Sequence, residues 1–178
     1  MGEGDFVSKR IVLMMTVMMV CMLLLGSCFF GGRGMIFDDT GAKADRRMEQ
    51  IMEAIKNKDK EALKALFSDK ALAEAEDFDN RVDYLLDFLE GDIDSYERDG
   101  LSADGSIRQG KESQMIRSGY RVVTEEEEYF FYVVDYDPDT IDPDNAGVYM
   151  IQVTKWADSN NLGPWQERLS AGISLKYG

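Results

Sequence analysis

Histidine is absent from the 178 residues of the chain. Its absence removes the commonest general base, the commonest metal ligand and every Ser-His or Cys-His nucleophile. Cysteine is nearly absent: Cys21 and Cys28 both sit near the N-terminus. The rest of the chain therefore holds no disulfide, thiolate nucleophile or Cys-based zinc site. Basic residues are outnumbered 20 to 34 by acidic ones, for a formal net charge of -14. Nucleic acid is excluded as a partner on that balance, because its binding depends on Lys and Arg neutralising phosphates. No cofactor or metal is expected. What remains is 44% hydrophobic and 30% charged, the make-up of a folded domain with a short appendage.

The appendage comes first. Lys9 and Arg10 precede the apolar run Ile11 to Leu25, the order and length of a signal-peptide core. Leu25-Gly26-Ser27-Cys28 follows and resembles the lipobox of bacterial lipoproteins, with an aliphatic residue three before the cysteine and small residues between. That resemblance implies cleavage after Ser27 and lipid on Cys28, the first residue of the mature chain. An uncleaved signal anchor is the alternative, since Ile11 to Phe30 would span about 30 Å as a helix, enough to cross a bilayer. Both place the remainder on the outer, extracytoplasmic face of the cytoplasmic membrane. Cys21, inside the apolar core, reads as a hydrophobe. Residues 1–27 are thus expected to be the signal peptide, 28–43 the lipidated cysteine with a Gly-rich tether, and 44–178 one folded domain. The charges before Cys28 cancel, so the exported part keeps the full -14 and is expected to stand off anionic lipid.

Within the domain the periodicity changes from helical to alternating. Met48, Ile51, Met52 and Ile55 follow i, i+3, i+4, i+7, predicting an amphipathic helix over Ala44 to Asn57. Asp59 is placed to cap a short helix to Phe67, and Ser68 a further turn through Ala75. Phe78, Val82, Leu85, Leu86 and Leu89 form the stripe of a helix to Glu90, with Gly91 as its C-cap. A short strand is expected over Ile93 to Arg98, with turns at Asp99-Gly100 and Asp104-Gly105. Two hairpins follow: Gln114–Thr124 with Glu127–Asp137, then Val148–Trp156 with Trp165–Lys176. Helices followed by an antiparallel meander define an α+β domain. The run Tyr129 to Val134 is apolar at both parities, as a central strand covered on both faces would be.

The phrase Ile55-Lys56-Asn57-Lys58-Asp59-Lys60-Glu61-Ala62-Leu63-Lys64-Ala65-Leu66-Phe67-Ser68 resembles the opening of nuclear transport factor 2-like domains. So do Asp87 to Gly91, Asp142 to Val153 and Gly172-Ile173, which are similar to segments of uncharacterised Gram-positive lipoproteins carrying that fold. The resemblance covers about Ala44 to Gly178. It implies helices packed on a curved antiparallel sheet, a cystatin-like cone with a pocket at its open end, and often a homodimer through the sheet.

The candidate chemistry is sparse. Asp135, Asp137, Asp139, Asp142 and Asp144 superficially suit calcium. Counted from Asp135, however, position six is Thr140 rather than Gly and position twelve is Ala146 rather than Glu. A solvated connection between the hairpins, broken by Pro138 and Pro143, is the expected reading. Glu125 to Glu128 reads as a solvated turn whose carboxylates alternate and do not converge. Tyr96, Tyr132, Tyr149 and Trp156 are the candidate ligand-lining residues, since amphipathic rings offer an apolar face and a polar handle. No catalytic set is identifiable. The function expected is a membrane-anchored, non-catalytic module binding a small molecule or a protein. The alternatives are an enzyme using a buried carboxylate with a tyrosine, and a purely structural dimeric scaffold.

Overall fold

The computed structural model describes residues 39–159 and the backbone of Leu169–Gly172. The apolar run, Cys28 and the Gly-rich stretch up to Asp38 lie outside the described residues, as does most of the strand expected over Trp165–Lys176. Among the described residues four α-helices come first: α1 (Thr40–Lys56), α2 (Lys60–Ala65), α3 (Asp69–Glu74) and α4 (Phe78–Phe88). Five strands follow: β1 (Ile93–Arg108), β2 (Lys111–Thr124), β3 (Glu128–Asp139), β4 (Gly147–Lys155) and β5 (Leu169–Gly172). The architecture is α+β.

The apolar spacing of α1 buries Met48, Ile51, Met52 and Ile55, as expected. The helix begins at Thr40, inside the stretch expected to be tether, because Thr40 is itself buried and bonded to the sheet: Gln114 Nε2 donates to Thr40 Oγ1 at 2.9 Å. The two short helices start where their caps predict. Asp59 Oδ1 accepts from Ala62 N at 2.9 Å, and Ser68 Oγ from Ala71 N at 3.1 Å, each satisfying a first-turn amide that the helix cannot. In α4, Phe78, Val82 and Leu85 are buried. Gly91 does not cap that helix, which ends at Phe88 with Leu89 extended. Its positive φ of 79° instead serves the turn into β1, against the backbone of Glu125 and Glu126.

All neighbouring strands pair antiparallel in the order β1-β2-β3-β4-β5, which makes β3 central. One face, carrying Tyr120, Val122, Tyr129, Phe131, Val133, Ile151 and Val153, packs with the helices into a single core. Full burial of such side chains contributes roughly 1.5–3 kcal/mol each. The Tyr129 hydroxyl is satisfied within that core: it accepts from Glu90 N at 3.0 Å and donates to Phe88 O at 3.3 Å. On the other face of β3, Val134 is fully buried while Phe130 and Tyr132 are half-buried.

The largest departure from expectation is β1. It runs unbroken through both Asp-Gly pairs to Arg108, and the reversal falls at Gln109-Gly110, whose φ values of 52° and 77° are both positive. Two consecutive positive φ values are what a tight hairpin with right-handed strand twist requires. Asp99-Gly100 marks a register irregularity in the strand, between Arg98 and Gly100, rather than its end.

Helices and sheet are also joined directly. Ser68 N donates to Val148 O, and Val148 N to Leu66 O, both at 2.9 Å. They form a parallel bridge between Phe67 and Val148. Gly147 lies under this rung with φ at 121°, and a Cβ there would sit 3.1 Å from both Leu66 O and Ser68 N. Gly147→Ala is therefore expected to lower stability by about 1–3 kcal/mol, read from urea unfolding. Gly100→Ala, where a Cβ meets nothing within 4 Å, should leave the midpoint unchanged or raise it.

Candidate functional site

The rung that Gly147 permits shapes a depression of about 500 Å³ at the far end of β3. The α2–α3 connection (Leu66, Phe67) forms one wall and Tyr136, Asp137 and Thr140 another, with Arg47 of α1 between them. Arg47 lies three residues after Ala44 and four before Ile51, hence on the core face of its helix. Its Nε is 3.1 Å from Asp135 Oδ1, whose side chain is only 4% exposed. Arg47 Nη1 also donates to Gln50 Oε1 at 3.2 Å. Lys43, one turn earlier, reaches the Asp137 carbonyl oxygen at 3.1 Å.

Asp135 is buried because its position in β3 has the parity of Tyr129, Phe131 and Val133, all on the helix side. Among the described residues the contact its carboxylate makes is the ion pair with Arg47. Burial pushes its carboxyl above the ordinary range, against the opposing pull of the Arg47 guanidinium. Asp139, four residues on, is the converse case. Burial alone would raise it, but Asp142 N at 2.8 Å, Asn145 Nδ2 at 3.2 Å, Ser113 Oγ at 3.0 Å and Ile141 N at 3.1 Å all donate to its carboxylate. Together they hold it below the ordinary range. The acidic segment is thus not the uniformly solvated connection expected: Asp135 and Asp139 belong to β3 and are 3% and 6% exposed. Asp142, in the loop beyond, faces Lys70 at 3.5 Å. Among the described residues no three His, Cys, Asp or Glu side chains are grouped to hold a metal ion. In the Glu125–Glu128 turn, Glu127 pairs with Lys155 at 2.9 Å and Glu128 takes both Arg121 Nε and Nη2.

The four aromatic candidates fall at three separate places. Tyr96 faces the helices opposite Val122, packed against the core, with its hydroxyl raised by burial and by Glu49 and Asp45. Tyr132 is on the opposite sheet face, across from Gly119. Trp156 lies toward that same face, 6.1 Å from the Phe130 ring and 5.1 Å beneath the Arg121 guanidinium. Tyr149 does not line the depression but packs against a residue that does, its ring 5.7 Å from that of Tyr136 and its hydroxyl raised by burial. Of the residues that do line the depression, Asp137, Pro138 and Asp139 were read as a solvated connection, and Arg47 and Tyr136 were not singled out by spacing or composition. A cation on the inner face of one amphipathic helix and a carboxylate at the inward parity of the central strand were the signal available.

One further polar cluster involves a tyrosine. Tyr120 donates to Asp45 Oδ1 at 2.9 Å, and Arg98 Nη1 donates to the same oxygen at 2.8 Å. Burial and Asp45 push the Tyr120 hydroxyl well upward, while the Asp45 side chain is 55% exposed.

The family model of a domain of unknown function (DUF5104) matches residues 50–156, more than half of the chain. The chain belongs to this family. The DUF5104 match begins inside α1, just after Arg47, and ends at Trp156. It takes in Asp135 and the Tyr136–Thr140 wall while leaving Cys28 and Arg47 outside. No curated protein matches the chain. Among the described residues no helix is long and apolar enough to cross a membrane.

The two carboxylates of β3 carry opposite pH signatures. A carboxylate held below its unfolded pKa adds stability that is present above that pKa and lost as pH falls through the folded value; one held above it adds stability at low pH that is lost as pH rises. Asp139→Asn should therefore cost about 2–3 kcal/mol at pH 7 and progressively less toward pH 3. Asp135→Asn should show wild type losing ground to the variant as pH rises across the same interval. Urea midpoints of the three proteins between about pH 3 and pH 7 check both signs.

Proposed function

We propose that the DUF5104 protein is a lipoprotein held on the outer face of the cytoplasmic membrane by lipid on Cys28. In the same reading its domain is a non-catalytic binding module of the nuclear transport factor 2-like cone type, taking a small molecule or a partner's side chain into the depression beside Arg47. The anchor rests on the sequence Leu25-Gly26-Ser27-Cys28 behind a basic-apolar leader. A diacylglyceryl group supplies the two chains that stable anchoring requires. Binding rests chiefly on Arg47, whose inner edge is fixed by a buried carboxylate while it lines a depression shared with an aromatic ring and a hydroxyl. Side chains fixed from behind in this way present polar groups to a ligand at little entropic cost.

The enzyme alternative requires a buried carboxylate facing a tyrosine. In this domain those two requirements are met at separate places. Asp135 is buried and faces Arg47, whereas the carboxylate bonded by Tyr120 is Asp45, half-exposed to water. A proton acceptor in contact with solvent gains little from the low dielectric that tunes catalytic groups. Non-covalent binding is the reading that these distances favour.

Cys28→Ser is expected to abolish both incorporation of labelled fatty acid and retention in the membrane fraction; a variant that still sediments with membranes would instead indicate an uncleaved anchor. For the depression, native mass spectrometry of the membrane-extracted chain should show a retained small molecule. Tyr136→Ala, which alters a wall without removing the partner of a buried charge, should lose it. Arg47→Ala is the poorer variant, since stranding Asp135 would cost about 3–5 kcal/mol. A wild-type chain whose native and denatured masses agree, or a Tyr136→Ala variant that retains the same added mass, would refute the pocket.

A further inference from the structure

The outer part of the β1–β2 hairpin forms an arm whose two faces differ. Beyond Gly100 its register is regular, from Gly100↔Gly119 to Arg108↔Lys111. Leu101, Ala103 and Ile107 therefore share one face, and the serines and Asp104 that alternate with them share the other. Leu101 is 41% exposed and Ile107 67%, two of the three large hydrophobic side chains that are exposed among the described residues. On the polar face Asp104 is neutralised by Arg117. At the last rung of the polar face stand Arg108 and Lys111, both exposed and with no ion pair among the described residues, while Glu112 stands across from Ile107 on the apolar face; Arg108 to Glu112 thus carries two cations and one carboxylate. Two cations against one carboxylate make the tip net basic in a chain whose overall charge is -14.

The arm's position gives this pattern a target. Thr40, the first residue of α1, accepts a hydrogen bond from Gln114, only four residues from the turn at Gly110. At 3.3 Å per residue the tip lies about 13 Å beyond the point where the preceding chain joins the domain. Cys28 is 11 residues before Asp39 in the sequence, and a flexible linker of that length has a typical reach of about 20 Å. A lipid on Cys28 would keep the arm within reach of the bilayer. An apolar stripe on one face, with long basic side chains at the tip of the other that can reach around to the headgroups, is a pattern that partitions into an anionic lipid interface.

We propose that the end of the β1–β2 arm docks on the anionic headgroup surface of the membrane, with Ile107 and Leu101 entering the interface and Arg108 and Lys111 meeting lipid phosphates. The proposal rests on the lipid-anchor reading and refines it: most of the acidic domain is repelled, and one basic, apolar corner is held. Contact through that corner fixes which side of the domain faces outward.

The test uses the full acylated chain on vesicles of phosphatidylcholine, with and without phosphatidylglycerol, and reads amide hydrogen exchange across Leu101–Lys111. Phosphatidylglycerol is expected to slow exchange there, and added salt to restore it. In the double variant Arg108→Glu, Lys111→Glu, whose unfolding midpoint should match wild type, the protection is expected to fall roughly tenfold or more. Ile107→Ser should weaken it with the charges intact. Identical exchange on both vesicle types would overturn the proposal. So would protection on phosphatidylcholine that rises with surface density, which would assign the arm to a second copy of the chain. The anchor is scored separately. If Cys28→Ser stays in the membrane fraction, the lipidation reading fails, while the arm is still judged by its response to phosphatidylglycerol.

Discussion

The domain depends on one rung. Backbone bonds between the α2–α3 connection and the first residues of β4 fasten a helical layer to a sheet at a point where only a glycine at position 147 fits. Side-chain packing alone leaves a helix free to slide on a sheet, because dispersion and burial are non-directional. Two backbone bonds at 2.9 Å remove that freedom. They also bound the depression on one side, with the end of β3 on another. The core cluster, the caps at Asp59 and Ser68 and the depression all presuppose that alignment.

Beside this rung lies a buried ion pair, Arg47 with Asp135. A buried ion pair seldom stabilises relative to well-packed apolar residues, because desolvation consumes the attraction. Here the carboxylate is buried with Arg47 as its ion-pair partner, and burial pushes its carboxyl above the ordinary range despite that partner. The pair specifies instead: it sets α1 against β3 in a single register and orients a guanidinium toward solvent. Asp139 is the opposite solution to the same problem, a carboxylate buried under four donors that organise the turn after β3. Acidity that composition alone suggests is spread over the surface is partly structural.

The helices were legible because period and caps agreed, and Met48, Ile51, Met52 and Ile55 are all buried. The strands were legible where one face packs on a core, as from Tyr129 to Val134. Legibility failed in β1, whose residues are mostly exposed. With no buried face to fix a period, Asp-Gly pairs read as turns, although an edge strand tolerates them at small cost. The depression was harder to see. Tyrosines and a tryptophan attract attention as ligand-lining residues, yet their placement depends on strand register, which a single residue's slip reverses. Parity counted along β3 would have turned Asp135 inward and matched it to Arg47.

The link between α1 and β3 has a consequence in time as well as space. The sheet is a meander in which every strand pairs with its sequence neighbour, so it can zip through successive local closures. α1 cannot: Lys43 meets Asp137 across a separation of 94 residues. Synthesis runs from the N-terminus, so the stripe Met48, Ile51, Met52, Ile55 is made early and finds its sheet last. At 5–20 residues per second, the roughly 80 residues from Ile55 to Asp135 leave that stripe uncovered for about 4–16 s. Among the described residues this is the apolar stripe that waits longest for its sheet partner.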